Sequence, residues 1–264
     1  MPASAAVPPE FVAAAEAAAD LAGAVIRPLF RSALLVEAKG DASPVTEADR
    51  AAERAIRALL AERFPAHGVI GEEYGAERAD AEWVWVVDPI DGTRAFVTGR
   101  PLFGCLVALL HRGGPVLGLI DQPAAGERWL GVAGARTRFR SPLGGTVGCR
   151  PCARLAEAEL SCTSPDMFRP QDRPGFERLR AAARRVTWGG DCYAYGLLAL
   201  GLVDVVAEST MRPWDWAALV PVVEGAGGRV TDWDGRPLTL DSDGRVLAVG
   251  DPALLAEAIG LLAG

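Results

Sequence analysis

The chain has 264 residues, half of them hydrophobic, and a formal net charge of −7. That length suits one or two compact domains. An acidic surface attracts neither a nucleic-acid backbone nor an anionic membrane, so neither is expected as a partner, whereas a phosphorylated small molecule stays open because bound cations reverse the local sign.

In chain order, residues 10–31 set Leu21, Val25, Ile26 and Phe30 among alanines and predict a helix ending near Pro28. Basic residues are missing ahead of its apolar part, and Glu16 and Asp20 interrupt it. It reads as neither a signal nor a transit peptide, and the expected location is the cytoplasm. Residues 39–45 form a Gly/Ser/Pro-containing loop. Thr46 then opens a second helix as its N-cap, with Asp49 three residues on, close to the capping-box pattern. Ile56, Leu59, Leu60 and Phe64 give that helix an apolar face, Arg50, Arg54 and Arg57 are turned to water, and Pro65 ends it.

Val69 and Ile70 predict a short strand running into Gly71, Glu72 and Glu73. Residues 83–87, Trp-Val-Trp-Val-Val, read as a buried strand that delivers Asp88-Pro89-Ile90-Asp91-Gly92-Thr93. Residues 102–111, 115–121 and 128–132 then predict antiparallel hairpins with a turn at Gly113-Gly114. After Gly144-Gly145 the pattern changes to alternating strands and helices. Strands are expected at 160–163, 203–207, 229–232 and 246–250. Helices are expected at 176–184, 191–200, 214–225 and from Pro252. The run 196–207 is too short for a membrane span and is interrupted by Asp204. The division falls between residues 1–148, an N-terminal α+β domain with the acidic motifs, and 149–264, a C-terminal α/β domain that completes the site. The five cysteines are scattered and odd in number, unlike a disulfide framework, and Cys149-x-x-Cys152 lacks a second pair or a nearby histidine and reads as structural.

Asp88 and Asp91 cost too much to bury unpaired. With two histidines in the chain and no lysine cluster nearby, the partner expected is a hard divalent cation that prefers oxygen ligands. Gly92-Thr93 opens a turn whose free N–H groups suit an anion such as phosphate. Metal plus phosphate at one strand end suggests a metal-dependent phosphatase. Glu72 and Glu73 stand where another oxygen ligand is needed, and Asp215 stands at a helix start where the dipole favours a carboxylate. Glu72 and Glu73 also suit a solvated pair, Asp215 and Asp49 suit simple capping, and Lys39 suits a solvated loop charge. Trp214, Trp216, His67 and His111 read as packing residues.

Taken in this order, Gly71-Glu72-Glu73, Asp88 to Thr93, Trp214-Asp215 with Glu224-Gly225-Ala226-Gly227-Gly228, and Val45-Thr46-Glu47-Ala48-Asp49 resemble the inositol monophosphatase family of magnesium-dependent phosphatases. The resemblance covers nearly the whole chain. It implies a layered αβαβα sandwich and two or three Mg²⁺ per active site. One ion would sit on Glu72, Asp88 and the Ile90 carbonyl, a second on Asp88, Asp91 and Asp215. It further implies that Glu72 and Thr93 orient and deprotonate the attacking water, that Asp49 supports Thr93, that the Gly92 and Thr93 amides receive phosphate, and that Lys39 belongs to a loop over the site. A homodimer is expected on the same ground.

The leaving group is chosen elsewhere. Asp191 opens a helix after Trp188-Gly189-Gly190, where inositol-cleaving relatives carry a small uncharged residue, and Glu208 precedes Asp215 by seven. Two carboxylates suit a cationic alcohol better than a neutral polyol. Together with Pro101 to Gly104, Ile120 to Pro123 and Glu127 to Trp129, this resembles the histidinol-phosphate phosphatase branch, which implies L-histidinol phosphate as substrate and a place in histidine biosynthesis. The alternatives are inositol 1-phosphate or a broad range of sugar monophosphates, with Asp191 serving as a helix cap.

Overall fold

A computed structural model describes residues 7–33, 36–38 and 44–263. Lys39 lies outside them. The elements in order are α1 (Pro9–Leu29), β1 (Val36–Ala38), β2 (Pro44–Thr46), α2 (Glu47–Arg63), β3 (Gly68–Gly71), β4 (Gly75–Glu77), β5 (Trp83–Asp91) and α3 (Thr93–Val97). Strands β6 (Gly104–His111), β7 (Gly114–Gln122), β8 (Glu127–Val132), β9 (Arg138–Arg140) and β10 (Glu159–Cys162) follow. The rest is α4 (Arg173–Ala182), β11 (Arg185–Trp188), α5 (Asp191–Ala199), β12 (Val205–Glu208), α6 (Pro213–Trp216), α7 (Leu219–Gly225), β13 (Arg229–Thr231), β14 (Val246–Val249) and α8 (Leu255–Ala263).

A seven-stranded sheet runs β4-β3-β5-β6-β7-β8-β9 and a five-stranded sheet runs β11-β10-β12-β14-β13. In the first only β3–β5 is parallel, and in the second β10 lies parallel to both β11 and β12. Side chains alternate across a strand, so one strand feeds two cores. Trp85 and Val87 of β5 join Ile26 of α1 and Ile56 and Leu60 of α2. Val84 and Val86 join Leu198 of α5, Val222 of α7 and Val206 of β12. Leu160 and Val205, on the far face of the second sheet, join Phe176 of α4 and Leu262 of α8. Three cores between five layers make the expected αβαβα α/β fold. The middle core is shared by the two halves of the chain.

Several boundaries differ from the pattern-based expectation. The helix expected over 214–225 is two helices. Pro221 cannot donate to the carbonyl four residues back and its ring crowds that carbonyl, which interrupts the helix at 217–218. The last helix is preceded by a 3₁₀ turn at Pro252–Leu254. Strands β4, β9 and β11 carry too few apolar residues to signal themselves. All three border solvent at sheet edges. Arg57, expected in water, is largely covered and pairs with Glu53 at 2.7 Å. Among the described residues no helix is long and apolar enough to cross a membrane.

Candidate active site

The site is built at the end of β5. Its pairing with β6 is regular as far as Asp88↔Leu106 and shifts register before Asp91↔Gly104. A bulge at this point re-aims side chains that simple alternation would send to opposite faces. Asp88 accepts the Ile90 N–H at 3.0 Å through Oδ1, which closes the turn around Pro89. Gly92 follows with φ +83°, in the left-handed region where a Cβ is costly. It also stands so close to Asp191 that an added Cβ would come within 3.0 Å of that carboxyl carbon.

Carboxylate oxygens of Asp88, Asp91 and Asp215 lie within 4.8 Å of one another. Asp215 arrives from α6, where it also accepts the Arg212 N–H at 2.6 Å and so caps the helix that presents it. Burial pushes the carboxyls of Asp88 and Asp91 well above the usual range. For Asp88 the neighbouring Glu72, Asp91 and Asp215 add to this, and for Asp91 the neighbouring Asp191 and Asp215 do. Asp215 is pushed up to about 7, again mainly by burial. Among the described residues no arginine or lysine forms an ion pair with any of the three. Crowded, desolvated oxygen donors without a cation of the protein's own fit a hard divalent metal.

Glu72 reaches the cluster from the end of β3, close enough to raise the Asp88 carboxyl. Its loop is held by Glu53, which is fully buried and accepts the Glu73 and Tyr74 N–H groups at 2.7 and 3.2 Å. Glu53 escaped the sequence reading, although it stands one turn after Asp49 on the same helix face. Glu73 is thereby tied to Glu53 through its backbone. Asp49 does both things the sequence left open. Its Oδ2 accepts the N–H and hydroxyl of Thr46 at 2.8 and 2.6 Å, completing the capping box, and its Oδ1 faces the Thr93 hydroxyl at 3.3 Å. That hydroxyl also lies 3.0 Å from the Ile90 carbonyl oxygen, so its single proton has two acceptors.

The second sheet supplies the opposite wall. Asp191 is the first residue of α5, and the Cys192 N–H behind it donates to Asp91 Oδ2 at 2.6 Å. Asp191 has φ +44° and its carboxyl is pushed up to about 7 by burial and by Glu208, against the pull of Arg100 and Arg94. No side-chain capping bond forms at this helix start, so the capping alternative for Asp191 fails. Glu208 ends β12, accepting the Thr163 N–H and the Tyr195 hydroxyl, each at 2.9 Å. Its carboxyl is raised by burial. Arg100 packs on Gly189 beside Asp191.

The residues read as packing or structural are accounted for in those terms. His67 accepts the Trp85 indole N–H at Nδ1, 3.1 Å away, and His111 stacks on Trp83 with ring centroids 4.2 Å apart. Trp216 is buried and Trp214 packs against the middle core. Cys149 and Cys152 are free thiols.

The sequence matches the inositol monophosphatase family over residues 8–263. The chain belongs to that family. It is therefore a phosphoric monoester hydrolase of a metal-dependent family whose enzymes act on small phosphorylated substrates. Among curated relatives, the bifunctional phosphatase IMPL2, chloroplastic, of Arabidopsis thaliana is 43% identical over 94% of this chain and 74% of its own length. A histidinol-phosphatase of Mycobacterium tuberculosis is 40% identical over 76% of this chain and 79% of its own. Among solved structures, an inositol monophosphatase from Zymomonas mobilis superposes with TM-score 0.88 and 45% identity, covering 97% of this chain and 98% of that one.

Proposed function

We propose that this member of the family hydrolyses L-histidinol phosphate to L-histidinol and phosphate, as a cytoplasmic, Mg²⁺-dependent enzyme of histidine biosynthesis. The observation that carries the substrate is the pair Asp191 and Glu208. Asp191 lies against Gly92, and Glu208 is close enough to raise the Asp191 carboxyl. The amine and imidazole of histidinol are the cationic donors such a wall accepts. Glu208 keeps free lone pairs after its two protein donors are counted. Relatives 37% and 40% identical that are named histidinol-phosphatase support the reading.

In this reading Glu72, Asp88, Asp91, Asp215 and the Ile90 carbonyl hold Mg²⁺, two or three ions per site. Once bound, Mg²⁺ offsets the charge of the phosphoryl oxygens and makes water a stronger nucleophile. The protein's own part is positional. Asp49, fixed by Thr46, draws the Thr93 proton toward its Oδ1 and leaves a Thr93 lone pair turned to the water. Glu72, held by the loop that Glu53 anchors, takes the water's proton as the P–O bond forms. The Gly92 and Thr93 N–H groups, without intrahelical partners at the start of α3, receive phosphate oxygens. As the bond from phosphorus to the alcohol oxygen breaks, that oxygen takes a proton from solvent water, while Asp191 and Glu208 keep hold of the amine of the departing alcohol.

Residues 1–148 carry most of the metal ligands in this scheme, and 149–264 add Asp215 and the leaving-group wall. A homodimer is our expectation for the assembly, and light scattering giving a single-subunit mass would contradict it. The rival reading, inositol 1-phosphate or a range of sugar monophosphates, is favoured by the 45% identity to a structure named inositol monophosphatase. Phosphate release in Mg²⁺ from L-histidinol phosphate and inositol 1-phosphate, side by side, separates the two. A large preference for the first supports the proposal. Equal rates or the reverse preference discard its substrate while leaving the hydrolase.

A further inference from the structure

Two close contacts join the segment after the catalytic turn to the start of α5. At Gly92 the Asp191 side chain occupies the space a Cβ would need. At Gly189 the guanidinium of Arg100 does the same, with Nη2, Nη1 and Cζ at 2.9, 3.3 and 3.4 Å from the position of an added Cβ. Both terminal nitrogens stand nearer than Cζ, so the guanidinium presents its Nη1/Nη2 edge to the glycine. Arg100 is itself placed by its N–H, which donates to the Ala95 carbonyl of α3 at 2.8 Å. The turn beneath it is strained. Asp191 has φ +44°, a left-handed conformation that is costly for a non-glycine residue and persists only where the surroundings enforce it. Two restraints face that strain: the Cys192 N–H on Asp91 behind it, and the Arg100 guanidinium against Gly189 ahead of it.

We infer that Arg100 is a positioning residue for leaving-group choice: by packing the end of its guanidinium against Gly189 it clamps the 189–191 turn, so that the Asp191 carboxylate stays over Gly92. This rests on the proposed role of Asp191 toward a cationic alcohol. Arg100 acts through shape. Its positive charge by itself disfavours a cationic leaving group, so a purely electrostatic role predicts better binding when it is removed, and a clamp predicts worse.

The test compares Arg100→Ala, Arg100→Lys and Gly189→Ala with wild type in Mg²⁺, on L-histidinol phosphate and on 4-nitrophenyl phosphate, whose leaving group carries no cation. The clamp predicts that discrimination between the two esters falls about tenfold in Arg100→Ala, the loss of most of one charge-assisted hydrogen bond, and that KM carries the fall. Lysine keeps the charge but not the flat fork, so Arg100→Lys should resemble Arg100→Ala. Gly189→Ala should resemble both and add little to Arg100→Ala. A wild-type Arg100→Lys, or unchanged or improved discrimination in Arg100→Ala, overturns the inference. Hydrogen exchange at the Cys192 amide of the metal-free protein needs no substrate and decides the matter if wild type shows no preference for the cationic ester. Exchange about tenfold faster in Arg100→Ala supports the clamp. Unchanged exchange overturns it, whatever becomes of the substrate.

Discussion

The two sheets bring carboxylates to one cleft on different terms. From the seven-stranded sheet come Asp88 and Asp91, joined by Asp215 from α6, crowded and without cationic partners among the described residues. From the five-stranded sheet comes Glu208, whose oxygens each accept a protein donor, and Asp191 stands beside it at the start of α5. The first group is unstable as it stands and is completed by a cation from outside. In the second, Glu208 is already held in place, and in the proposed reading it needs only a donor from a ligand. In the proposed function this difference separates two tasks: one side activates the ester and the other chooses the alcohol.

The largest effect expected from breaking this division is at the first group. Asp88→Asn should lower kcat by about a thousandfold or more toward any monoester, because an anionic ligand proposed for Mg²⁺ is lost. The folded chain should survive, since the substitution removes a desolvated charge. A variant with wild-type turnover would show that the cluster is not the centre of the chemistry. Next in size is Glu53→Gln. It weakens the acceptor for two backbone N–H groups and for Arg57, and should cost about 1–3 kcal/mol in chemical denaturation. A larger loss of Mg²⁺ affinity than of stability would confirm that Glu53 acts through the Glu72 loop, and no change in either would remove it from the account.

The smallest effect is a dependence of stability on pH, to which both groups contribute. Asp215 and Asp191 both have carboxyls raised to about 7 by burial. Between the ordinary aspartate range and that value the folded state binds more protons than the unfolded state, so stability is greatest at low pH and is lost as pH rises through about 7. Metal-free protein should therefore melt several degrees lower at pH 8 than at pH 5.5. Mg²⁺, by holding the carboxylates charged, should restore the difference at pH 8 and do little at pH 5.5. A metal-free melting temperature that rises from pH 5.5 to 8 would contradict the picture of uncompensated buried charge.

Much of this division could be read from the chain. The apolar run before Asp88 and the Asp-Pro-Ile-Asp-Gly-Thr turn mark a buried strand ending in carboxylates, and Thr46 with Asp49 marks a helix start, because these signals are local. Residues that act across layers left no local trace. Glu53 looks like any helical glutamate until the Glu72 loop folds onto it, and Arg100 looks like a surface charge until Gly189 arrives from residues 89 positions away. The helix break before Pro221 was readable from the proline itself. The polar edge strands were not, since pairing with a neighbour rather than burial defines them.

The most direct test of the division is the ratio of kcat/KM for L-histidinol phosphate over inositol 1-phosphate, measured in Mg²⁺ for wild type and Asp191→Ala. The account predicts a ratio well above one in wild type that falls by about ten- to a hundredfold in the variant, as expected for loss of a charge-assisted hydrogen bond to the leaving group. A wild-type ratio at or below one, or a variant that loses activity toward both esters in equal measure, would contradict it.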